Sequence, residues 1–550
     1  MLNIIKNNSI FTVLVIFFTL NTFSYAKDLK WEGFVDVEGK AGSKRHLGEA
    51  DIFLPITQNE NSLLFTTLRY RLDNQSSREG NFGLGIRHIL PSNWIIGGYA
   101  YYDRRKSPYD NIFRQVTLGV ELLSNDWDFR ANIYKPFGKK EYLEESLSQV
   151  EFTDTSILYS QGEERALKGF DAEIGWRIPI FEEDEDKQLR LYIGGYKFYE
   201  KDIETIKGPR GRIDLTFNEV PFLWKDSRLT LGAETQKDDI RGSQSFASLR
   251  LRIPFSASNS KSKPKLSALE RRMTTPIIRD IDIVSQAGIF EAPQKVTQDA
   301  NGNSINMISS TNISGADLKS IIENAGENTT IVLSGEFSGV NNITTLKEGQ
   351  SIIGKGNVEI TTPAGQKVSI PTPGASITGK GGYTTLTASN VFFRMSSNTS
   401  LIGITAHNTD TSGSGTAIVH MKDANNVTIK DNTLSVTSSQ NAAYVITVDS
   451  SSNLYIGNNT LHMHNNGTYG SLIGFIQKGS DMRNITFENN IYNATGTANK
   501  SRVFYFFDVN ISNLNGSNNS TDMAVGSMGT YMHSSTVTGN VSFTNGYTVQ

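Results

Sequence analysis

Between residues 31 and 256 apolar and polar side chains alternate with a period of two. Leu249, Leu251 and Ile253 oppose Ser248, Arg250 and Arg252. Phe129, Ala131 and Ile133 oppose Asp128, Arg130 and Asn132. The same pattern sets Ile213, Leu215 and Phe217 against Arg212, Asp214 and Thr216, and Phe82, Leu84 and Ile86 against Gly83, Gly85 and Arg87. Such alternation places one set of side chains on each face of a strand. It predicts twelve strands near 33–41, 47–56, 63–72, 80–90, 93–103, 113–123, 126–135, 168–178, 189–200, 208–218, 227–236 and 244–254. Each is about ten residues long, and tilted by about 40° it spans roughly 25 Å, the apolar height of an outer membrane. An even count suits a closed barrel, which leaves no unpaired edge for lipid to penalise. Trp94, Tyr101, Tyr102, Trp127, Tyr134, Trp176, Tyr199 and Trp224 lie near strand ends, where interfacial girdles place their rings. A soluble β-sandwich alternates too, but the charged alternate face and the uniform strand length favour the barrel.

Residues 301–550 follow another pattern. Asn425 to Asn432 (NNVTIKDN) matches Ser452 to Asn459 and Arg483 to Asn490, with weaker copies near Thr399 and Ser512. The apolar anchors Leu401, Val427, Leu454, Ile485 and Leu514 are spaced by 26, 27, 31 and 29 residues. Asn432, Asn459, Asn490 and Asn519 each follow an anchor by five. A period in the high twenties with short strands predicts a right-handed parallel β-helix whose coils stack at about 4.8 Å. The aligned Asn residues are expected at bends, because Asn tolerates the left-handed conformation and stacked amides bond one another. A second strand per coil is expected at Val445–Val448, Leu472–Ile476 and Val503–Phe506. Asp317 to Gly326 reads as a short amphipathic helix, with Leu318, Ile321, Ile322 and Ala325 on one side, suited to capping the first coil. Leucine-rich repeats fit poorly, and no period near 100 residues marks stacked immunoglobulin-like modules.

Charge sharpens the division. Residues 301–550 hold 12 Lys+Arg and 14 Asp+Glu, while the first 300 residues hold the other 83 charged residues. The net charge of −3 gives no basic face for nucleic acid. The absence of Cys excludes disulfides, thiolate metal sites and Cys nucleophiles.

Residues 1–26 read as a secretory signal peptide, with Lys6 as the positive region, an apolar stretch from Ile10 to Leu20, and Ser24 and Ala26 at the cleavage site. The stretch is too short for a single anchoring helix. Residues 257–300 are polar and lack alternation, with Leu266 to Met273 as about two helical turns ended by Pro276. The acidic stretch 138–167 reads as a long loop.

Several segments resemble the β-domain of the intimin/invasin family, the inverse autotransporters: NFGLGIRHILPSNWIIGGYAYYDRR (81–105), GEERALKGFDAEIGWRIPIF (162–181), RLTLGAETQKDD (228–239) and ERRMTTPIIRDIDIV (270–284). The resemblance implies an outer-membrane translocator whose C-terminal passenger passes through the barrel to the cell surface. It also implies that the post-barrel segment runs back along the lumen, where Arg271, Arg272 and Arg279 would pair with carboxylates such as Glu173, Asp214 or Glu234. A solvated linker is the alternative. Many members carry a peptidoglycan-binding module before the barrel; here Trp31 follows the expected cleavage site, so wall anchoring is not implied. The barrel comes first and the chain ends at Thr548-Val549-Gln550, the order of the inverse type.

The expected architecture is therefore all-β: signal peptide 1–26, a 12-stranded barrel 27–256, a pore-traversing linker 257–300 and a β-helix passenger 301–550. The expected partners are outer-membrane lipid, the barrel-assembly and Sec export machineries, and a host-cell receptor or surface glycan. A surface polysaccharide lyase or hydrolase is the alternative to an adhesin, and a structural surface protein the third reading. Lyases need clustered carboxylates. Asp449, Asp481 and Asp508 each lie just ahead of an anchor and are the candidates for a shared turn, although solvated turn carboxylates are the favoured reading. His462 and His464 would point the same way on a strand, but two ligands do not make a metal site. No catalytic, cofactor-binding or metal residue is assigned, and no cofactor is expected.

Overall fold

The computed structural model describes residues 29–183, 186–220, 223–255, 266–280, 282–385, 389–410, 415–439, 443–467, 469–476, 479–497, 500–523 and 530–549. The expected signal peptide and residues 257–265 lie outside the described residues. Two compact units form: Met1–Leu147 with Gly162–Phe290, and Ser148–Gln161 with Glu291–Gln550.

The first unit is a closed barrel of twelve antiparallel strands: Phe34–Gly42, His46–Gln58, Ser62–Asp73, Arg78–Ile89, Ile95–Lys106, Ile112–Leu123, Trp127–Phe137, Lys168–Ile178, Lys187–Tyr199, Ile206–Asn218, Arg228–Asp238 and Gly242–Pro254. Closure comes from the first and last strands, in a register that sets Phe34 opposite Pro254 and Val37 opposite Leu251. The alternation sorts side chains as the sequence implies. Ile86, Val120, Ile133, Ile174 and Ile193 face outward and are more than half exposed. Arg87, Asp103, Glu121, Asp128 and Arg130 face inward and are buried. Trp94, Trp127, Trp176 and Phe129 form a chain of outward rings with centroids 6.2–6.5 Å apart. Tyr101 and Tyr134 correct the expected girdle: they point into the lumen, where their hydroxyls meet Thr67 and Asp171. Strand parity decides this, since Tyr101 and Tyr102 must face opposite ways.

The stretch 138–167 is not a bare loop. It carries strands Glu141–Leu143, Gln149–Phe152, Ile157–Ser160 and Gly162–Ala166.

The second unit stacks its coils as parallel strands. From residue 419 to 495 each coil has three strands, for example Ala443–Asp449, Ser452–Gly457 and Thr460–Asn465, and in the next coil the single strand Val509–Thr521 takes the place of the second and third. The third strand, after each Asn, goes beyond the expected two; Leu434, Val436, Leu461 and Met463 bury its inward side. Val427, Leu454, Ile485 and Leu514 stack in register. Leu401 is level with Ile429, not Val427. Period-two alternation offers two equivalent inward positions, so the weaker copy is misaligned by two when read from sequence alone.

The Asn ladder forms, with one refinement. Asn432, Asn459, Asn490 and Asn519 are buried. The Asn432 side-chain NH₂ donates to Asn459 Oδ1 at 3.0 Å, Asn459 to Asn490 at 3.0 Å and Asn490 to Asn519 at 3.2 Å. The left-handed residues are their predecessors Asp431, Asn458, Asn489 and Asn518, with φ of 55–61°. A second left-handed row, Asn426, Asn453, Asn484 and Asn513, lies one residue before each of the stacked anchors. The helix spans Leu318–Asn324; it buries Leu318 and Ile322 against the coil core, whereas Ile321 is exposed.

Candidate functional site

The barrel bore is filled by the segment that follows the last strand. Ser267 and Glu270 form a capping box that starts a short helix, Ala268–Arg272. Its apolar residues Leu269 and Met273 pack with Trp31, Phe34, Phe53, Leu63 and Phe65, closing the barrel end that carries Phe34 and Pro254. Phe34, Phe53 and Phe65 stack with centroids 4.7 and 4.8 Å apart. The Trp31 indole donates to the Glu270 carbonyl at 2.9 Å, and Lys30 pairs with Glu270 at 2.6 Å.

From there the chain runs the length of the bore in extended form. An extended chain without a sheet partner must have its backbone groups satisfied by side chains. The wall supplies them. Arg87, held by Glu121, donates to the carbonyls of Met273 and Thr275, both at 2.8 Å. Arg228 donates to the Arg271 carbonyl at 3.2 Å, and Asn132 to that of Ile278 at 3.2 Å. The amide of Asp280 donates to Tyr134 Oη at 2.7 Å, and that of Ile283 to Glu79 at 2.8 Å. Arg105 donates to the Ile283 carbonyl. Asp73, Glu79 and Arg105 lie at the end opposite Phe34, so the segment enters at one mouth and leaves at the other.

The segment's own charges are paired as well. Arg279 meets Asp103 through two 2.9 Å contacts and lies 4.4 Å over the Tyr101 ring. Arg272 reaches Asp128 and the carbonyl of Ser124, and Arg271 reaches Asp186 at 2.8 Å. Asp282 takes two hydrogen bonds from Arg45, at 2.8 and 3.0 Å, with Arg105 at 3.4 Å and Arg71 at 3.7 Å. The expected pairing with lumen carboxylates holds for Arg272 and Arg279, with other partners than expected, whereas Arg271 pairs with Asp186, which precedes the strand Lys187–Tyr199. Glu173 is held by Arg212 at 2.8 Å, Asp214 also by Arg212, and Glu234 by Lys40 at 3.3 Å. Wall cations already hold those three; Asp128 also meets Arg130 at 3.1 Å and Arg190 at 3.2 Å yet takes Arg272 as well, while Asp103 takes Arg279. The residual cavity, lined by Glu38, Glu49, Arg71, Arg212, Arg250 and Arg279, is about 50 Å³, room for a few waters.

Beyond the bore, the Leu167 amide donates to the Val284 carbonyl, and Ser285–Ile289 pairs antiparallel with Gly162–Ala166. The clasp at Trp31 and the carbonyl-binding role of Arg87 were not read from sequence. Arg87 sits in the inward parity set, but nothing in that pattern separates a wall residue from one that grips the threaded chain.

The solenoid candidates separate. Asp449 ends its strand in register with Lys422, whose ammonium is 3.8 Å away. Asp481 is in register with Asn510, which donates to it at 2.9 Å. Asp508 sits in a turn with φ of 51°. They occupy three different positions in the coil and form no cluster. His462 and His464 do share a face, where both approach the Thr495 hydroxyl, at 3.5 and 2.9 Å. Among the described residues no three His, Asp or Glu groups gather in a metal-binding arrangement.

Residues 20–277 match the family model described as inverse autotransporter, beta-domain. A search of curated proteins yields no match. Among solved structures, a chain from work on in-meso crystallization of membrane proteins is 16% identical, with a TM-score of 0.34 over 47% of this chain and 100% of its own. An outer membrane channel from Pseudomonas putida F1 is 10% identical, with a TM-score of 0.31 over 41% of this chain and 95% of its own. The KdgM porin in complex with disordered oligogalacturonate is 9% identical, with a TM-score of 0.25 over 40% and 99%.

Proposed function

Residues 20–277 being an inverse autotransporter β-domain of the outer membrane, we propose that the chain displays its β-solenoid at the cell surface as an adhesin. The observation that carries this reading is the path of residues 266–284, which enter the bore beside Trp31 and leave it beside Asp73 and Glu79. A segment whose backbone the wall holds at Met273, Thr275, Ile278, Asp280 and Ile283 is what a passenger leaves behind after following that route. In this reading residues 1–26 direct Sec export, the barrel-assembly machinery inserts the barrel, and lipid covers the outward Ile, Leu and Val.

Adhesion is a step beyond display. Asp449, Asp481 and Asp508, the carboxylates proposed for a lyase, stand at different positions in their coils, which supports attachment to a receptor or glycan better than polysaccharide cleavage. Function rests on sites and not on folds, so the test measures both. External protease on intact cells is expected to remove 301–550 and leave the barrel, and the shaved cells to lose adherence to host cells or glycan-coated surfaces. A fragment protected until the outer membrane is permeabilised would overturn display. Release of reducing or unsaturated sugars from acidic polysaccharides by intact cells would favour the enzyme.

A further inference from the structure

Residues 148–161 lie between two barrel strands in sequence, yet they are part of the solenoid unit. They form a hairpin, Gln149–Phe152 with Ile157–Ser160. Its turn is closed by the Thr153 amide donating to the Ser156 carbonyl at 2.9 Å and the Ser156 amide donating to Thr153 Oγ1 at 3.0 Å. Gln294–Lys295 adds to the hairpin's free edge, and the Val296 amide donates to the Ile157 carbonyl at 2.9 Å. Thr311 hydrogen-bonds Asp154.

The hairpin covers an apolar surface that no other coil carries. Ile157 and Tyr159, 2% and 3% exposed, pack with Val296, Ile305, Met307, Val332, Ile353, Val358 and Ile370 in a core separate from the main one. One outward column of the solenoid explains why. Read along the stack in register, it runs Met307, Val332, Ile353, Ile402, Lys430, Gly457, Glu488. It is apolar for four coils and carries no apolar side chain after that. The first coils therefore have grease on both faces, and the hairpin is part of what buries the outer one.

Order of formation gives this a direction. The hairpin's two ends continue into a stem, Glu141–Leu143 paired with Glu163–Arg165, that belongs to the barrel unit. It is thus available as soon as the barrel is built. A parallel solenoid, by contrast, has a slow start: its first coil closes long loops before any neighbour rewards it. A hairpin whose two ends the paired stem already holds together offers an edge and an apolar face at less entropic cost, as in strand addition to an existing sheet.

We infer that residues 148–161 are a folding template built into the barrel domain, on which the first coils of the solenoid nucleate. The inference concerns folding and stands apart from what the solenoid binds.

The test uses the full chain with Ile157→Asp and Tyr159→Asp together, and Val541→Asp as a control that damages the buried core of the last coils. After a pulse of synthesis, gentle detergent lysis and brief proteolysis report when 291–550 becomes resistant, whichever side of the membrane it occupies. Heat-dependent gel mobility reports the barrel. The expected result is a barrel of normal mobility and an approach to resistance about tenfold slower throughout 291–550, or none at all, with wild-type timing of the early coils in the control. Wild-type timing in the hairpin variant would overturn the inference. So would loss of resistance confined to 291–370 while later coils fold on schedule, since that describes a lid and not a template. A Tyr159→Phe variant, which keeps the apolar contact, is expected to behave as wild type; slowing there would also count against it.

Discussion

Arg279 and Asp103 face each other through two parallel 2.9 Å contacts, one residue on the threaded segment and the other on the barrel wall. Both are buried. The pair joins two parts of the chain 176 residues apart and places an arginine fork over the Tyr101 ring. Removing one partner strands the other charge, which costs about 3–5 kcal/mol at a buried site. Arg279→Ala is therefore expected to loosen the segment and raise single-channel conductance in planar bilayers. Asp103→Asn should act in the same direction, and the double variant should do less harm than the sum. Additive effects would show that the two residues do not act as a pair.

The barrel exterior offers a second test. Ile193 is mid-strand and 66% exposed on the outward face. Ile193→Arg puts a charge into lipid and is expected to cost about 2–4 kcal/mol, seen as a lower unfolding midpoint by gel mobility in liposomes. Lys207→Arg, already a cation and near a strand end, should leave the midpoint unchanged.

Asn459 is the centre of the buried ladder. It donates to Asn490 Oδ1 and to the Ile429 carbonyl, and its own Oδ1 accepts from the Asn432 amide and side chain. Asn459→Ala orphans these groups, at about 1–3 kcal/mol each before relaxation. Protease resistance of the solenoid should fall sharply. Asn458→Gly, at a left-handed residue with φ of 55°, is expected to be neutral, and Asn458→Val to destabilise by about 1 kcal/mol or more.

The solenoid should also weaken in acid. Burial, with Arg394 and Lys422 nearby, pushes the His420 imidazole down to about 4 from 6.5. Its Nδ1 lies 2.9 Å from the Thr447 hydroxyl. The unfolded chain takes up a proton near 6.5 and the folded one near 4, so stability is full above pH 6.5 and falls as the pH drops to 4, by up to about 3 kcal/mol. Burial and the neighbouring His462 push His407 the same way. Urea midpoints of solenoid protease resistance at pH 7.5, 5.5 and 4.5 check this, and His420→Gln should flatten the profile. All five Trp residues lie between 31 and 224, so Trp fluorescence follows the barrel alone and leaves the solenoid readout uncontaminated.

What could be read in advance follows from period. The twelve strands were legible because a lipid-facing wall enforces strict alternation, and their bounds fall within three residues of those expected. The repeat of Val427, Leu454, Ile485 and Leu514 was legible because stacking demands apolar residues of similar size in register. The errors came where identity is set by tertiary partners. Tyr101 and Tyr134 look like girdle residues until parity places them inside. Glu173 looks available until Arg212 from the next strand but one takes it. The third strand of each coil, such as Thr433–Ser438, hides in a Thr/Ser-rich stretch whose two inward residues are too few to stand out. The hairpin at 148–161 was illegible because its apolar side is short, and its partner lies more than 130 residues downstream.

The outward column that loses its grease after Ile402 also divides the solenoid into a doubly buried start and a repeating remainder. From Lys430 onward that column carries no apolar side chain and each coil stacks on the coils before and after it, so whole coils can be added or removed there without disturbing the first ones. The length of the stack is then adjustable in increments of about 4.8 Å per coil, with the first coils unchanged.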